Sequence, residues 1–545
     1  MSLPFGTKPV RLALWFGFIA SLVVIETWPL RWTLDASDIQ TLRVLVNPVA
    51  FGIIFTLWFA GFVVLMLGST KDFERFLLLF LFAFVFLSYW AVRAQNGVQQ
   101  DEYSNMGIVQ FILNSGSVTG GTPNTAYLDY PGLFVIGSIL TEVLGISLAA
   151  FRQLLLLLFT GLMVGGLFTI FRRLFKRALN PAIFTTFAVV SSLVWVRVIE
   201  FTPFFLGILL LMAIILCLLG GQLSLSTVLI AGLMVSYLPN SILLTVILGF
   251  LVAFELIGYG ARPPRHFGLL VYSCVAFLGW NVFWAYSQFG SVLYFFRQIQ
   301  FGSVPTALDI VTNIPLWAKL VEYIWIVGIL GVGSIIALYG TLRIRNKLPK
   351  DRLLIAGSLG TALFGFVSFV VVPGGVQLPR LMFYAPLFFA PLAAVFLSER
   401  IKRKKLYVIF LLGIISLSFP TFLVQDRAIS MSVVYNYEIG LGSFARFAMP
   451  TTSGYVTTDQ ITGGVLQFYL PDAVFSTPPW NFSELSSSFG SFSGSTLVVS
   501  ARAFTYLSFV YGNNQTNQFV SHVWNVLRNN NVVYNSGFAQ IAESR

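Results

Sequence analysis

Apolar runs of about twenty residues, separated by short polar or basic stretches, recur from Leu12 to about Leu423. A run of that length crosses a hydrocarbon core of roughly 30 Å as a helix. The pattern predicts spans at 10–30, 47–68, 75–94, 152–171, 181–198, 203–220, 224–238, 241–258, 267–286, 318–340, 353–372, 381–397 and 406–423. That makes about thirteen transmembrane helices. Beyond about Val424 the pattern changes to a Ser-, Thr-, Asn- and Gly-rich composition. There the short apolar runs GYVTTD, DAVFST, TLVVSA, NVVYN and FAQIA alternate with the helix-like ITGGVLQFYL and QFVSHVWNVLRN. That alternation predicts a small α/β domain outside the membrane. The expected division is a transmembrane part, 1–423, and a C-terminal domain, 424–545.

One apolar stretch breaks the series. Residues 131–149 start on Pro131, contain Gly132, Gly137 and Gly145, and carry Glu142 in the middle. These features predict a helix lying along the membrane surface rather than crossing it. The segment from Glu102 to Leu113 reads as a second short helix, ended by the Gly-rich NSGSVTGGTPN. Residues 95–151 are therefore expected to form a large outer loop of two interfacial helices.

Charge fixes the expected orientation. The chain is 57% hydrophobic and only 10% charged, with 55 Phe and a mean hydropathy of +0.83. That composition excludes a soluble globular protein. The net charge of +12 does not imply nucleic-acid binding, because basic residues cluster in short loops between spans. Lys8/Arg11, Lys71/Arg75, Arg172/Arg173/Lys176/Arg177, Arg262/Arg265, Arg343 to Arg352 and Arg400 to Lys405 hold 20 of the 33 Lys and Arg residues. All fall on one side when the N-terminus is cytoplasmic. The first span has no small-residue cleavage site after it and reads as a retained anchor. An odd number of spans places the C-terminal domain outside the cytoplasm. Cys217 and Cys274 both lie in spans, so no disulfide framework or zinc cluster is expected.

Against so few charges, Asp101-Glu102 stands out at the mouth of a span, just before the first loop helix. Ionisable groups are costly there and mark functional sites by default. Capping the helix needs one such residue, not two. Gly463-Gly464 after Asp459 lacks the glycine fingerprint and the lysine of a phosphate-binding loop. Asn481-Phe482-Ser483 and Asn514-Gln515-Thr516 match the short N-glycosylation pattern on the outer side.

The run DEYSNMGIVQFILNSG, followed by YLDYPGLFVIGSILTEVLGISLAAFRQLLLLLFTGLMVGGLFTIFRRLF, resembles the start of a GT-C glycosyltransferase. The similarity is greatest to the branch of protein O-mannosyltransferases and lipid A aminoarabinose transferases. An acidic pair, a helix, a Gly turn, a surface helix and an Arg before the next span are matched by Asp101-Glu102, Gly116, Tyr130-Pro131-Gly132-Leu133 and Arg152. Downstream, Arg380-Leu381-Met382-Phe383-Tyr384-Ala385-Pro386 is similar to the family's Arg-aromatic entry into a late span. The topological resemblance covers roughly 75–423. It departs in two additional N-terminal spans, in Gly132 where the family has a second Pro, and in lacking the WWDYG motif of oligosaccharyltransferases.

The resemblance implies transfer of a sugar from a polyprenyl-phosphate donor to an acceptor outside the cytoplasm: a protein, a glycan or a lipid. Such chemistry needs a carboxylate to take the acceptor's proton and cations to hold the leaving phosphate. Asp101 and Glu102 are the expected catalytic pair, with Asp101 as base. Arg380 and Arg297 are the expected phosphate ligands, and Tyr103, Asp129, Tyr130 and Tyr384 the expected loop and substrate residues. Asp101, Glu102 and Asp129 could share magnesium or manganese through oxygen ligands. His266, expected in the cytoplasm, and His522, in the tail, give no membrane-face zinc site. The alternative is a lipid or glycan transporter or flippase, which places charges at mid-span and shows repeated halves.

Overall fold

A computed structural model describes residues 8–28, 47–68, 71–93, 100–118, 128–175, 201–259, 264–285 and 349–371, together with shorter pieces from 185 onward. The helices are α1 (Lys8–Glu26), α2 (Pro48–Gly68), α3 (Asp72–Arg93), α4 (Gln100–Ser115), α5 (Gly132–Leu144), α6 (Leu148–Leu174), α7 (Pro203–Gly220), α8 (Leu223–Met234), α9 (Leu238–Tyr259), α10 (Phe267–Phe283) and α11 (Pro349–Val371). Five of these are long and apolar enough to cross a membrane: α1, α2, α6, α7 and α9. The chain is an integral membrane protein built mostly of helices. The spans expected at 181–198, 318–340, 381–397 and 406–423 fall wholly or mostly outside the described residues, and so does the test of thirteen.

The ends of the helices follow local chemistry. Ser147 caps α6 by accepting from the Ala150 amide, and Pro203 opens α7 at a position where its missing N–H costs nothing. Gly221 closes α7 in the left-handed region, at φ 73°. The segment expected to span at 224–238 is a helix of only 12 residues. It stops at Met234, and a helix could not run on unbroken, because Pro239 has no N–H to give the Val235 carbonyl and its ring would clash with it. A turn through Val235 to Tyr237 leads directly into α9.

Packing separates central helices from peripheral ones. The membrane-spanning window of α7 is 61% buried, whereas that of α1 is 11% buried, so α7 lies inside the bundle and α1 on its rim. α1 is joined to α2 and α3 by an aromatic stack of Phe18 on Trp58 and Trp58 on Phe82, with centroids 5.8 and 5.3 Å apart. Such pairs add about 0.5–1.5 kcal/mol beyond area burial.

Basic residues gather at one end of this bundle. Arg11 on α1 pairs with Glu74 on α3, and Asp72 is shared by Arg75 at 3.5 Å and Arg172 at 3.0 Å. Arg173 reaches the carbonyl of Leu216 on the last turns of α7, and Arg265 that of Gly221. His266 and Glu255 close the α9–α10 turn at the same end, with Nδ1 and Oε1 2.6 Å apart. Arg152 sits about 30 Å from Arg172 along α6, at 1.5 Å per residue.

α5 is 13 residues long, about 20 Å, and packs along α4 near the Arg152 end. Its outer face leaves Ile136, Ile139 and Val143 exposed, as a helix at an apolar surface would. α4 differs from a simple surface helix. Its first half, Glu102 to Val109, is buried beneath α5, the start of α6 and Phe201.

In the C-terminal part, the five short apolar runs are strands β1 (Tyr455–Thr457), β2 (Val474–Ser476), β3 (Thr496–Ser500), β4 (Asn531–Asn535) and β5 (Ala539–Glu543). They form one mixed sheet in the order β2-β1-β3-β5-β4. The β2-β1-β3 pairings are parallel, and β5 is antiparallel to both β3 and β4. Val498 and Ile541 face each other across β3 and β5 and are fully buried with Leu441, Ala445 and Leu466.

Candidate active site

Asp101 occupies the first turn of α4; its side chain lies outside the described residues. Glu102, the next residue, is only 3% exposed and pairs with Arg152 of α6, itself 6% exposed, at 3.5 Å. An ion pair this deep requires both partners, because either charge alone carries an uncompensated desolvation cost. Glu102, expected as one of the catalytic pair, points inward and ties the start of α4 to the start of α6.

Two further buried groups fix the same turn. Asn105 donates from Nδ2 to the Phe201 carbonyl at 2.7 Å, linking α4 to the segment just before α7. Tyr103 is buried in the main apolar core. Gly137 of α5 makes the close approach possible, since a Cβ there would stand 3.0 Å from Phe201 and 3.2 Å from Val109.

Asp129 and Tyr130 belong to a strap, residues 128–132, fastened to α10. Trp280 donates from Nε1 to the Asp129 carbonyl at 3.0 Å, and Trp284 to that of Leu128 at 3.4 Å. The Tyr130 hydroxyl donates to Asn281 Oδ1 at 2.6 Å. Burial pushes the Tyr130 phenol above its ordinary range, and the Asp129 charge pushes it further the same way. Tyr130 is therefore a neutral donor. The strap ends at Gly132, whose amide donates to the Val235 carbonyl at 3.1 Å. A Cβ on Gly132 would lie 2.5 Å from Ser236 Oγ. This explains why the position is not Pro: a Pro ring has no N–H to give and no room to enter. Gly132→Pro should destabilise the protein by about 3 kcal/mol or more, and Gly132→Ala by about 1–3 kcal/mol through overpacking. Thermal unfolding of the purified variants measures both.

Tyr384 joins a different group. It is buried, hydrogen-bonded to Asn240 of α9 and set edge-on to Phe204 of α7 at 6.2 Å. Arg297 and Arg380 lie outside the described residues. Among the described residues, no three His, Cys, Asp or Glu side chains cluster as a metal site would require. Glu102 is turned to a guanidinium, which competes with any cation for that carboxylate.

Sequence reasoning placed Arg152 only as a span-end cation and family position, and missed Asn105, Trp280, Asn281 and Trp284. The last three were legible in retrospect as WNxxW at the end of a span. Nothing local marked Asn105.

No protein-family model matches the chain, and no curated protein sequence does. Among solved structures, the chain is similar to membrane glycosyltransferases of the GT-C kind. ArnT from Cupriavidus metallidurans bound to undecaprenyl phosphate aligns at 13% identity and TM-score 0.43, over 87% of this chain and 98% of that one. The same protein in its apo state aligns at 14% identity and TM-score 0.43 over the same shares. An Archaeoglobus fulgidus oligosaccharyltransferase in complex with zinc and sulfate aligns at 13% identity and TM-score 0.47, over 86% of this chain and 73% of that one.

Proposed function

We propose that this protein is a polyprenyl-phosphate-sugar-dependent glycosyltransferase acting on the face of the membrane opposite its basic end. The observation that carries this reading is the buried Glu102–Arg152 pair directly behind Asp101. A carboxylate and a guanidinium held dry at a helix start fix the first turn of α4, to which residue 101 belongs. With Glu102 committed to Arg152, the proton transfer is assigned to Asp101. In this reading Asp101 takes the proton of the acceptor hydroxyl as its oxygen attacks the anomeric carbon. The bond from that carbon to the phosphate oxygen breaks, and polyprenyl phosphate leaves. Arg380 and Arg297 stabilise the departing phosphate charge. Glu102 and Arg152 are positioning residues, and Asp129 and Tyr130 border the acceptor.

The assay that tests this is reconstitution in proteoliposomes with a panel of polyprenyl-phosphate sugars, reading release of polyprenyl phosphate. Undecaprenyl phosphate-linked sugars are the first donors to try, because that lipid occupies the ArnT structure. Release that needs an acceptor supports the reading, whereas donor movement across the bilayer without release would support a flippase.

The same reading sets a topology. In a background lacking Cys217 and Cys274, a cysteine at Ser115 should react with an impermeant thiol reagent in intact cells. A cysteine at Ser224, beside the basic end, should react only after lysis. Labelling of both from one side would remove the proposed outer site.

A further inference from the structure

At the basic end, two exposed guanidinium groups lie over adjacent glycines. Arg173, on the last turn of α6, donates from Nη1 to the Leu216 carbonyl at 2.9 Å. Arg265, just before α10, donates from Nη2 to the Gly221 carbonyl at 3.4 Å. A Cβ on Gly220 would stand 2.6 Å from Arg173 Nη1, and one on Gly221 2.7 Å from Arg265 Nη2. Gly221 has a backbone reason to be glycine, its φ of +73°. Gly220 has no such need, and without a side chain it lets the Arg173 guanidinium lie directly on the helix end. The two glycines are consecutive, so both cations lie at the closing turn of α7.

Each guanidinium carries five N–H donors, and the described hydrogen bonds use one apiece. Among the described residues, neither forms an ion pair with a carboxylate. Asp72 and Glu74 are taken by Arg75, Arg172 and Arg11, while Glu255, which feels Arg265 at longer range, is hydrogen-bonded to His266. The end of α7 presents only about half a negative charge, less than two arginines supply. The surface beside the pair is apolar: Leu225 and Val228 on α8, and Phe267 and Val271 on α10, are all exposed.

We propose that Arg173 and Arg265 form a binding site for the phosphate of an anionic membrane lipid, whose acyl chains lie along α8 and α10. Paired guanidiniums match phosphate oxygens, and basic pockets between membrane helices select such headgroups. The flanking apolar wall favours a lipid over a free phosphate ion.

The test uses the full-length protein in nanodiscs of phosphatidylcholine with a minority of phosphatidylglycerol, and measures lipid retained through detergent extraction by mass spectrometry. The wild type should retain phosphatidylglycerol in preference, and high salt should erase that preference. The double variant Arg173→Gln/Arg265→Gln keeps a donor for each carbonyl and removes both charges. It should retain the anionic lipid roughly tenfold less, with unchanged elution and thermal unfolding. Unchanged retention in that variant would reduce both arginines to helix caps and overturn the site. Should the variant fold poorly, salt-independent retention by the wild type overturns it equally. Displacement of the lipid by excess inorganic phosphate alone would mark a free-anion site and sink the lipid assignment.

Discussion

Asp101→Asn should lower sugar transfer by roughly a hundredfold or more, the usual worth of a positioned general base. The amide keeps the size and hydrogen-bonding shape of the carboxylate and cannot accept the acceptor's proton. Donor binding should survive, because the phosphate is held by other groups, so the loss should fall on kcat rather than on KM. Membrane insertion and thermal unfolding should match the wild type, since the buried pair behind residue 101 is untouched. Near-wild-type turnover of Asp101→Asn in proteoliposomes would remove the base assignment altogether.

The second large effect concerns stability. Glu102→Ala removes a carboxylate from beside the buried Arg152 guanidinium, and Arg152→Ala removes a guanidinium from beside the buried Glu102 carboxylate. Breaking one side of such a pair costs about 3–5 kcal/mol. The double change Glu102→Ala/Arg152→Ala removes both charges of the pair and should cost less than the sum of the singles. A double-mutant cycle on thermal unfolding reads that difference directly. Glu102→Gln should also be damaging, because the amide leaves the buried guanidinium charge unbalanced. If the single changes add without coupling, the two side chains are not partners in the folded protein.

Several features were legible before any coordinates, because each rests on local chemistry. Helices at 48–68, 203–220 and 267–283 follow from apolar length, and Gly116 and Gly145 end helices by left-handed backbone. The basic residues that the sequence placed on one side, Arg172, Arg173 and Arg265 among them, lie at one end together. Other features were not local. Glu102 and Arg152 stand fifty residues apart, and Tyr130 and Asn281 more than twice that. A lone sequence carries no sign of which arginine answers which carboxylate. The depth of α4 was hidden for the same reason: its cover comes from α5, α6 and Phe201, not from its own pattern.

The strap over residues 128–132 bears on how the protein is made. Its fastenings lie at Val235, Trp280, Asn281 and Trp284, all at least a hundred residues later in the chain. During synthesis the strap emerges long before those partners exist, so its contacts are of high sequence separation and close late. Segments made first must wait for α10 before residues 128–132 are tied down. Nascent chains that stop short of Trp280 have the acidic pair but none of the fastenings at the end of α10, which makes α10 a checkpoint on the order of assembly.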